Sequence, residues 1–424
     1  SLTDAAWLRD PAVQTLLHTL SQGDEEARVV GGAIRNHYLG YPITDVDIAT
    51  TTLPRETMRL GSEAGFKPVP TGVDHGTVTL VREGRALEVT TLRQDTESDG
   101  RHAKVAFGRD WKADAERRDF TINALYYDPT SERILDHTRG VHDIRNRLIR
   151  LIGDPEQRYQ EDPVRMLRAV RFAAKLDFEI ERHSAEPIAD LAELLDGIPS
   201  ARLFDETLKL FLGGKAERTF ELLLEYDLFA PLFPASAAAL ERNPEYAGTL
   251  IRNALANTDL RIQQGKPVTP AFLFAALLWP ALPARVLELQ DRGMPPIPAM
   301  QEAAHDIIWE QCQRTAIPKR FTIPMREIWD MQERLPRRQG RRADQLLENP
   351  RFRAGYDFLL LRESAGEKTG GLGDWWTDYQ EANDSERRNM IRGLSGKDDA
   401  GAAKKRRRGG RRRRTPGDAA NPAD

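Results

Sequence analysis

The chain has 424 residues, which is too long for one hydrophobic core and predicts about two to four domains. Its hydrophobic fraction of 40% and charged fraction of 30% are typical of a soluble protein. The single cysteine, Cys312, excludes an intramolecular disulfide framework and a multi-cysteine zinc site, which fits a reducing, cytoplasmic setting. No uninterrupted apolar run reaches the ~18 residues of a membrane span, so no membrane partner is expected.

The net charge of −3 conceals a strongly basic stretch near the C-terminus. Subtracting its nine positive charges leaves −12 for the rest of the chain. Charge alone allows RNA, DNA or an anionic membrane as the partner, and the dominance of arginine interrupted by glycine favours nucleic acid. The predicted RNA-binding residues are Lys404, Lys405, Arg406, Arg407, Arg408, Arg411, Arg412, Arg413 and Arg414.

In chain order, residues 1–23 have the apolar spacing of a short helix. Residues 28–150 alternate short β-rich runs with turns and helices, and "VREGRALEV" predicts a hairpin that turns near Glu83 and Gly84. After residue 163 the β signal disappears, and the spacing is helical to about residue 395. Residues 396–424 have almost no large apolar side chain, which predicts disorder. The pattern predicts an α+β head, a helical remainder and a loose basic tail.

The stretch "VVGGAIRNHYLG", residues 29–40, runs from an apolar strand end through Gly31 and Gly32 into a helix. Paired glycines allow close backbone approach, and a helix start offers unpaired N–H groups to an anion. Arg35 would add a charged fork for phosphate. Such a turn alone is a weak signal, because most strand–helix turns with two glycines bind nothing.

The stretch "ITDVDIAT", residues 43–50, places Asp45 and Asp47 one residue apart in a β-branched run. In an extended strand both carboxylates point the same way, and their repulsion favours a cation between them. Hard oxygen ligands suit Mg²⁺, which is held by one or two carboxylates together with substrate phosphates. On its own the pair is equally typical of a solvated turn. Behind a phosphate cradle it indicates metal-dependent phosphoryl or nucleotidyl transfer.

In two further stretches, charged residues come directly before an apolar helix or strand. In "RRDFTINALYYD", residues 117–128, Arg118 and Asp119 form either a surface ion-pair cluster or a clamp for ribose and triphosphate. In "EDPVRMLRAVRF", residues 161–172, Asp162 and Pro163 predict a helix start. Asp162 and Arg165 form either an N-cap ion pair or a base-reading pair, and Arg165, Arg168 and Phe172 share one helix face.

These four motifs, in this order and spacing, closely resemble the class II nucleotidyltransferase family, which contains tRNA CCA-adding enzymes and bacterial poly(A) polymerases. The resemblance covers about residues 28–180. It implies a small mixed-sheet head with helical neck, body and tail regions, in-line attack of an RNA 3′-hydroxyl on the α-phosphate of ATP, and Mg²⁺ as cofactor. The family usually has Arg-Asp where this chain has Arg35 and Asn36, so a helper carboxylate is missing.

By this resemblance, the catalytic residues are Asp45, Asp47 and Asp119, and the metal ligands are Asp45 and Asp47. The implied nucleotide-binding residues are Gly31, Gly32, Arg35, Arg118, Asp119, Asn123, Asp162, Arg165 and Arg168. The implied domains are a head at 1–150, a neck at 151–215, a helical body at 216–395 and a tail at 396–424. The implied partners are ATP and RNA 3′ ends, in mRNA, regulatory RNA or tRNA.

Different stretches of the chain resemble different branches of this family. "VPTGVDHGTVTLV" and "LEVTTLRQDTESDGRHAKVAFGRDW" resemble CCA-adding enzymes, whereas the sequence from about residue 147 onward resembles poly(A) polymerases. The second set covers over half of the chain and favours AMP addition to RNA 3′ ends. CCA addition is the alternative, and an inactive RNA-binding relative is disfavoured by the intact Asp45 and Asp47 pair.

Overall fold

The computed structural model describes residues 2–95 and 105–395. The predicted disordered tail and its basic cluster lie outside the described residues. The described chain forms two compact units. The first contains the residues up to Ala237 together with Thr258–Lys266 and Gln311–Ala316, and the second contains the rest.

Among the described residues, the main sheet of the first unit has seven strands. Its order is β3-β4-β5-β2-β1-β8-β9, with β2 and β5 parallel and the other neighbours antiparallel. Two small sheets pair β6 with β7 and β10 with β11. The strands are β1 Ala27–Val30, β2 Asp47–Thr50, β3 Lys67–Gly72, β4 Thr77–Arg82, β5 Arg85–Thr91, β6 Arg93–Asp95, β7 Val105–Phe107, β8 Leu125–Asp128, β9 Arg133–Asp136, β10 Leu148–Ile149 and β11 Glu179–Ile180.

The helices dominate the remainder of both units, as the spacing predicts. Those bounded within the described residues are α1 Pro11–Thr19, α2 Gly32–Leu39, α3 Pro54–Glu63, α4 Trp111–Glu116, α5 Gly140–Arg145, α6 Pro155–Glu161, α7 Val164–Leu176, α8 Arg182–Ala185, α9 Ile188–Leu191, α10 Ser200–Phe211, α11 Ala216–Glu225, α12 Phe229–Leu232, α13 Pro234–Arg242, α14 Pro244–Gln263, α15 Pro270–Leu278, α16 Leu282–Asp291, α17 Pro296–Arg314, α18 Lys319–Arg334, α19 Arg342–Leu347, α20 Phe352–Ser364 and α21 Leu372–Glu381.

Local signals in the head are largely confirmed. Arg82 pairs with Arg85 across the predicted hairpin, and Glu83 and Gly84 both have positive φ, as a two-residue type I′ turn requires. The predicted N-terminal helix is shorter than expected, because a 3₁₀ turn and α1 replace one continuous element. The β signal also does not end completely at residue 163, since β11 pairs with β10.

The second unit has its own aromatic core around Phe352, Tyr356 and Trp376. Beside this core, the Trp375 ring stacks on Tyr379 with centroids 4.8 Å apart and an interplanar angle of 11°. The Arg338 guanidinium lies 4.7 Å from the Trp375 ring centroid. Trp375 therefore packs against the helical core of the second unit.

The helical stretch Pro270–Asp291 is long and apolar enough, by length and composition, to cross a membrane. Its mean hydropathy is 1.5, and 61% of the apolar window is buried within the fold. Leu273, Phe274 and Leu278 are almost completely inaccessible. The apolarity of this stretch is therefore explained by packing inside the second unit.

Candidate active site

A polar cavity of about 930 Å³ lies in the first unit. It is lined by the turn before α2, the start of β2, the middle of β5, the segment after α4, and the exposed faces of α7 and α10. Every predicted catalytic and nucleotide-binding residue lines this one cavity: Gly31, Gly32, Arg35, Asp45, Asp47, Arg118, Asp119, Asn123, Asp162, Arg165 and Arg168. Residues up to 137 positions apart in sequence are thus brought to one surface.

Two carboxylates of the cavity, Asp47 and Glu88, lie on neighbouring strands in the middle of the sheet. Asp47 is the first residue of β2, where it pairs with Val30 on one side and with Glu88 of β5 on the other. The prediction that one strand carries both carboxylates is wrong for Asp45, because β2 begins only at Asp47. The alternation still holds, because Val46 and Ile48 are buried while both aspartates are exposed to the cavity.

The electrostatics of Asp47 show uncompensated negative charge. Desolvation by the surrounding protein, followed by repulsion from Glu88 and Asp45, raises the pKa of Asp47 to about 6, and Arg118 only partly opposes these effects. Among the described residues, no group of three or more His, Cys, Asp or Glu side chains is arranged to hold a metal ion. A cation here would be held by two carboxylates and by oxygens from a bound phosphate, the ligand set that suits Mg²⁺.

The turn into α2 forms another part of the cavity lining, next to the strand pair that holds Asp47. Gly31 has φ of 84° and ψ of −128°, a conformation almost restricted to glycine, and it precedes the first turn of α2. Its N–H donates to the Leu125 carbonyl at 3.0 Å, which ties the turn to β8. The first N–H groups of α2 have no partner within the helix and lie at the cavity, where the positive end of the helix dipole favours an anion.

Replacing Gly31 with alanine is expected to destabilise the fold by about 1–3 kcal/mol, because a Cβ strains this conformation. Urea denaturation measures the loss. Gly197→Ala is the matched control, since nothing lies within 4 Å of its added Cβ and its φ is not in the left-handed region. Equal stability of the two variants would contradict the strained role of Gly31.

Arg35 is almost fully buried behind this turn. Its Nη1 donates to Asn123 Oδ1, and its Nε donates to Asn36 Oδ1 at 3.2 Å. Burial lowers the pKa of Arg35 to about 10, with Asp119 raising it and Arg171 lowering it further. The guanidinium is therefore held in place by neutral amides, and its positive charge is directed at the cavity without a carboxylate in hydrogen-bond contact.

A buried carboxylate outside the predicted site residues holds the arginines of the third motif, residues 117–128. Asp114, on α4, accepts bonds from Arg117 at 2.9 and 3.0 Å and from Arg118 at 3.2 and 3.3 Å. It also accepts from the Tyr126 hydroxyl at 2.6 Å and from the Arg93 N–H at 3.1 Å. Burial would raise the pKa of Asp114, but Arg118 and Arg117 lower it, so the carboxylate stays ionised.

The Asp119 carboxylate is held by Arg168, which lies on α7. Arg168 Nε donates to Asp119 Oδ2 at 2.7 Å, and the Phe120 N–H donates to Oδ1 at 2.7 Å. Both carboxylate oxygens therefore have a donor. This geometry joins α7 to the strand-side wall of the cavity and fixes the position of Arg168.

The fourth motif, residues 161–172, differs from expectation in its pairing. Asp162 Oδ2 accepts from Arg202 of α10 at 2.7 Å, whereas Arg165 Nη1 donates to the Arg158 carbonyl at 2.9 Å and to Glu161 at 3.3 Å. Of the two interpretations of Asp162 and Arg165, the N-cap ion pair is therefore wrong, because each side chain has another partner, and the base-reading pair stays a prediction. Their side chains still line the same cavity, and the predicted shared face of Arg165, Arg168 and Phe172 is confirmed.

Several residues that line the cavity or support its lining were not identified from the sequence. Asp114 had a usable signal, since it lies three and four positions before Arg117 and Arg118, the spacing of helical ion pairs. Arg202 had none, because it meets Asp162 only through the packing of α10 on α7. The other cationic lining residues outside the prediction are Arg93, Arg117, Arg171, Lys175 and Lys209.

The mixed sheet, the carboxylates at its centre and the wall of arginines together define a nucleotidyltransferase. Three family models match the chain: the poly A polymerase head domain at residues 27–150, the probable RNA and SrmB-binding site of polymerase A at 177–240, and the polymerase A arginine-rich C-terminus at 292–414. The chain belongs to the class II nucleotidyltransferase family of poly(A) polymerases and CCA-adding enzymes, and it is an enzyme of that family.

Comparison with individual relatives agrees with this assignment. Poly(A) polymerase I of Salmonella typhimurium is 40% identical over 393 residues, covering 89% of this chain and 84% of the relative. The CCA-adding enzyme of Ligilactobacillus salivarius is 39% identical over 236 residues, covering 55% of this chain and 57% of the relative. The structure of the Bacillus stearothermophilus CCA-adding enzyme with CTP has a TM-score of 0.59 and 29% identity, covering 91% and 83% of the two chains.

Proposed function

We propose that this protein is a template-independent poly(A) polymerase that transfers AMP from ATP to RNA 3′ ends and releases pyrophosphate. The observation that carries the proposal is the Asp45–Asp47 pair facing a wall of arginines in one cavity. Similarity to poly(A) polymerase I extends over 89% of the chain, against 55% for the CCA-adding enzyme of Ligilactobacillus salivarius. This difference favours polyadenylation over CCA addition, which is the alternative.

The cofactor in this proposal is Mg²⁺, held by Asp45 and Asp47. The fit rests on the donor set, because Asp45 and Asp47 alternate with the buried Val46 and Ile48 and both carboxylates line the cavity. When bound, Mg²⁺ supplies charge neutralisation for the triphosphate and acidifies the attacking 3′-hydroxyl. Glu88 adds a third negative charge across the strand pair and strengthens the attraction for the cation.

The chain's own groups orient the nucleotide. The N–H groups of Gly32 and the first turn of α2, with the Arg35 guanidinium, bind the triphosphate. Arg118, held by Asp114, faces the sugar and phosphates, and Asp119 positions Arg168 beside them. Asp162 and Arg165 present an acceptor and a donor to the base edge, with Asn123 fixing Arg35 behind them. These groups place the α-phosphate in line with the 3′-hydroxyl near Asp45 and Asp47.

One incubation series tests the reaction. An unstructured RNA and a tRNA lacking its CCA end are each given ATP alone or ATP with CTP. Long adenylate ladders on both RNAs with ATP alone are expected. A stop after three nucleotides that requires CTP would overturn polyadenylation in favour of CCA addition, and no incorporation with Mg²⁺ present would overturn both.

The same proposal divides the chain into four regions with different roles. Residues 1–150 act as catalytic head, 151–215 as neck, 216–395 as RNA-binding body and 396–424 as tail. The enzyme acts in the cytoplasm, where it processes mRNA, regulatory RNA or tRNA 3′ ends. The arginine-rich tail would hold a single strand without reading its sequence, which suits repeated addition.

Deleting residues 404–414 is expected to weaken RNA binding and to flatten its salt dependence, because nine cationic side chains are removed. Filter binding across a series of salt concentrations measures the slope. The matched control is a chain in which the same eleven residues are replaced by a neutral Gly/Ser segment of equal length. An unchanged slope in the deletion would contradict the role of the tail.

A further inference from the structure

Asn36 of α2 lines the active-site cavity and uses both ends of its side-chain amide in hydrogen bonds. Its Oδ1 accepts from Arg35 Nε at 3.2 Å, and its Nδ2 donates to the Pro42 carbonyl at 3.2 Å. One bond therefore holds the guanidinium that faces the phosphate-binding turn. The other bond holds the segment that leads to Asp45.

The end of α2 explains why Pro42 lies beside this amide. Gly40 has a φ of 70°, the left-handed conformation in which helices often end. The chain folds back there, so the Tyr41 N–H donates to the Asn36 carbonyl at 2.9 Å. The backbone and the side chain of Asn36 thus hold the start of the segment 41–46, which contains Asp45.

The segment 41–46 lies outside any helix or strand, and Asp45 within it is exposed. A further tether joins it to α7, where the Tyr41 hydroxyl donates to the Leu176 carbonyl at 3.4 Å. That distance is beyond the usual range of an O–H···O bond, so this tether is weak. The position of the segment therefore depends mainly on its two bonds to Asn36.

The neutrality of the Asn36 amide matters for Arg35. Two side-chain amides accept from the Arg35 guanidinium, those of Asn36 and Asn123, and neither has a charge. Gly32 lies against the same guanidinium, since a Cβ at this glycine would be 3.4 Å from Arg35 Nη2. The positive charge is thus fixed beside the phosphate-binding turn, and the groups that fix it do not neutralise it.

A carboxylate at position 36 would not perform both tasks. It would accept from Arg35, but its negative charge would form an ion pair with the guanidinium. It would also have no N–H to donate to the Pro42 carbonyl. An amide meets both requirements, because it has a neutral acceptor and a donor on one planar group.

We infer that Asn36 is a positioning residue that joins the triphosphate site to the metal site, by holding Arg35 with its charge available and by holding the segment that carries Asp45. The inference rests on the proposed function, because it takes ATP and Mg²⁺ to be the ligands of this cavity. It explains in physical terms why an amide serves at a position where the family usually has an aspartate.

The first test uses Asn36→Asp in the full-length chain, a nearly isosteric change that adds a negative charge and removes the donor. The Kd for an ATP analogue with a non-cleavable α–β bridge, measured by calorimetry with Mg²⁺ and without RNA, should rise about tenfold, because the carboxylate neutralises Arg35. The KM for ATP should rise by a similar factor, with a smaller fall in kcat. Asn146→Asp is the matched control, because Asn146 is an exposed asparagine of the same unit that does not line the cavity.

The second test uses Asn36→Ala, which removes both side-chain bonds and adds no charge. The Mg²⁺ concentration that gives half-maximal binding of the analogue should rise about fivefold, because the segment 41–46 must then be ordered before Asp45 meets the cation. Asn146→Ala is its control. Circular dichroism checks that each variant is folded, and Asn36→Asp keeps the inference testable if the alanine variant is not.

A wild-type Kd for the analogue in Asn36→Asp, or a wild-type Mg²⁺ dependence in Asn36→Ala, would overturn the inference. Equal effects in the Asn146 variants would overturn it as well. Failure of the proposed function is distinguishable, because the binding measurements contain no RNA. A wild-type chain that binds the analogue but adds no AMP refutes the polymerase reaction alone, and a wild-type chain that does not bind the analogue overturns both.

Discussion

Asp47→Asn is expected to reduce AMP incorporation by at least about a thousandfold while leaving RNA retention on a filter nearly unchanged. The asparagine has the same shape but removes a negative charge from the centre of the sheet, where Asp47 pairs with Glu88 and Val30. The proposed Mg²⁺ would then lose one of its two carboxylate ligands. Initial rates at saturating ATP and RNA measure the effect.

Asp24→Asn is the control, because Asp24 is an exposed aspartate of the same unit that does not line the cavity. Retained activity in Asp47→Asn would contradict the assignment of Asp47 as a metal ligand. A second measurement separates this role from general damage. Metal-free Asp47→Asn should melt above the wild type, because Asp47 is desolvated and repelled by Glu88 and Asp45, and added Mg²⁺ should no longer stabilise the variant.

Asp114→Ala is expected to destabilise the first unit by about 3–5 kcal/mol, since breaking a buried ion cluster leaves two guanidinium groups without their partner. Arg117 and Arg118 both donate to this carboxylate, whose side chain has 0% exposure. Urea denaturation measures the loss. Glu116→Ala on the same helix is the control, because its pair with Lys112 is 3.9 Å long and exposed, and it should change stability by less than about 1 kcal/mol.

The positioning role of Asp114 has its own readout. Asp114→Asn keeps an acceptor oxygen but removes the charge that orients Arg118. In the folded protein it should raise the KM for ATP more than it lowers kcat, because ground-state contacts to the triphosphate weaken first. A folded Asp114→Asn with wild-type KM for ATP would show that the carboxylate serves stability alone.

Short-range patterns account for the part of the molecule that the sequence predicted well. The Glu83–Gly84 turn depends on two adjacent residues, and the Gly31 turn depends on one φ value that glycine adopts freely. The alternation around Asp47 depends only on the period of a strand. Each of these features is decided within a few residues, so each could be predicted from its own short stretch of sequence.

Pairings across long sequence separations were not predictable in the same way. Asp162 has Arg165 at a favourable helical spacing, yet the bond goes to Arg202, 40 positions away, because α10 packs on α7. Asp119 pairs with Arg168 at a separation of 49. Charge and spacing indicate that such residues need partners, but the choice among several arginines depends on how the helices pack.

Asp45 and Asp47 also differ in how readily the backbone around them opens. Asp47 begins a strand that is hydrogen-bonded on both sides within a seven-stranded sheet, so releasing it requires nearly complete unfolding of the head. Asp45 lies in residues 41–46, outside any strand, where local opening costs far less free energy. One carboxylate thus provides a rigid reference point, and the other can adjust as substrate enters and product leaves without disturbing the sheet.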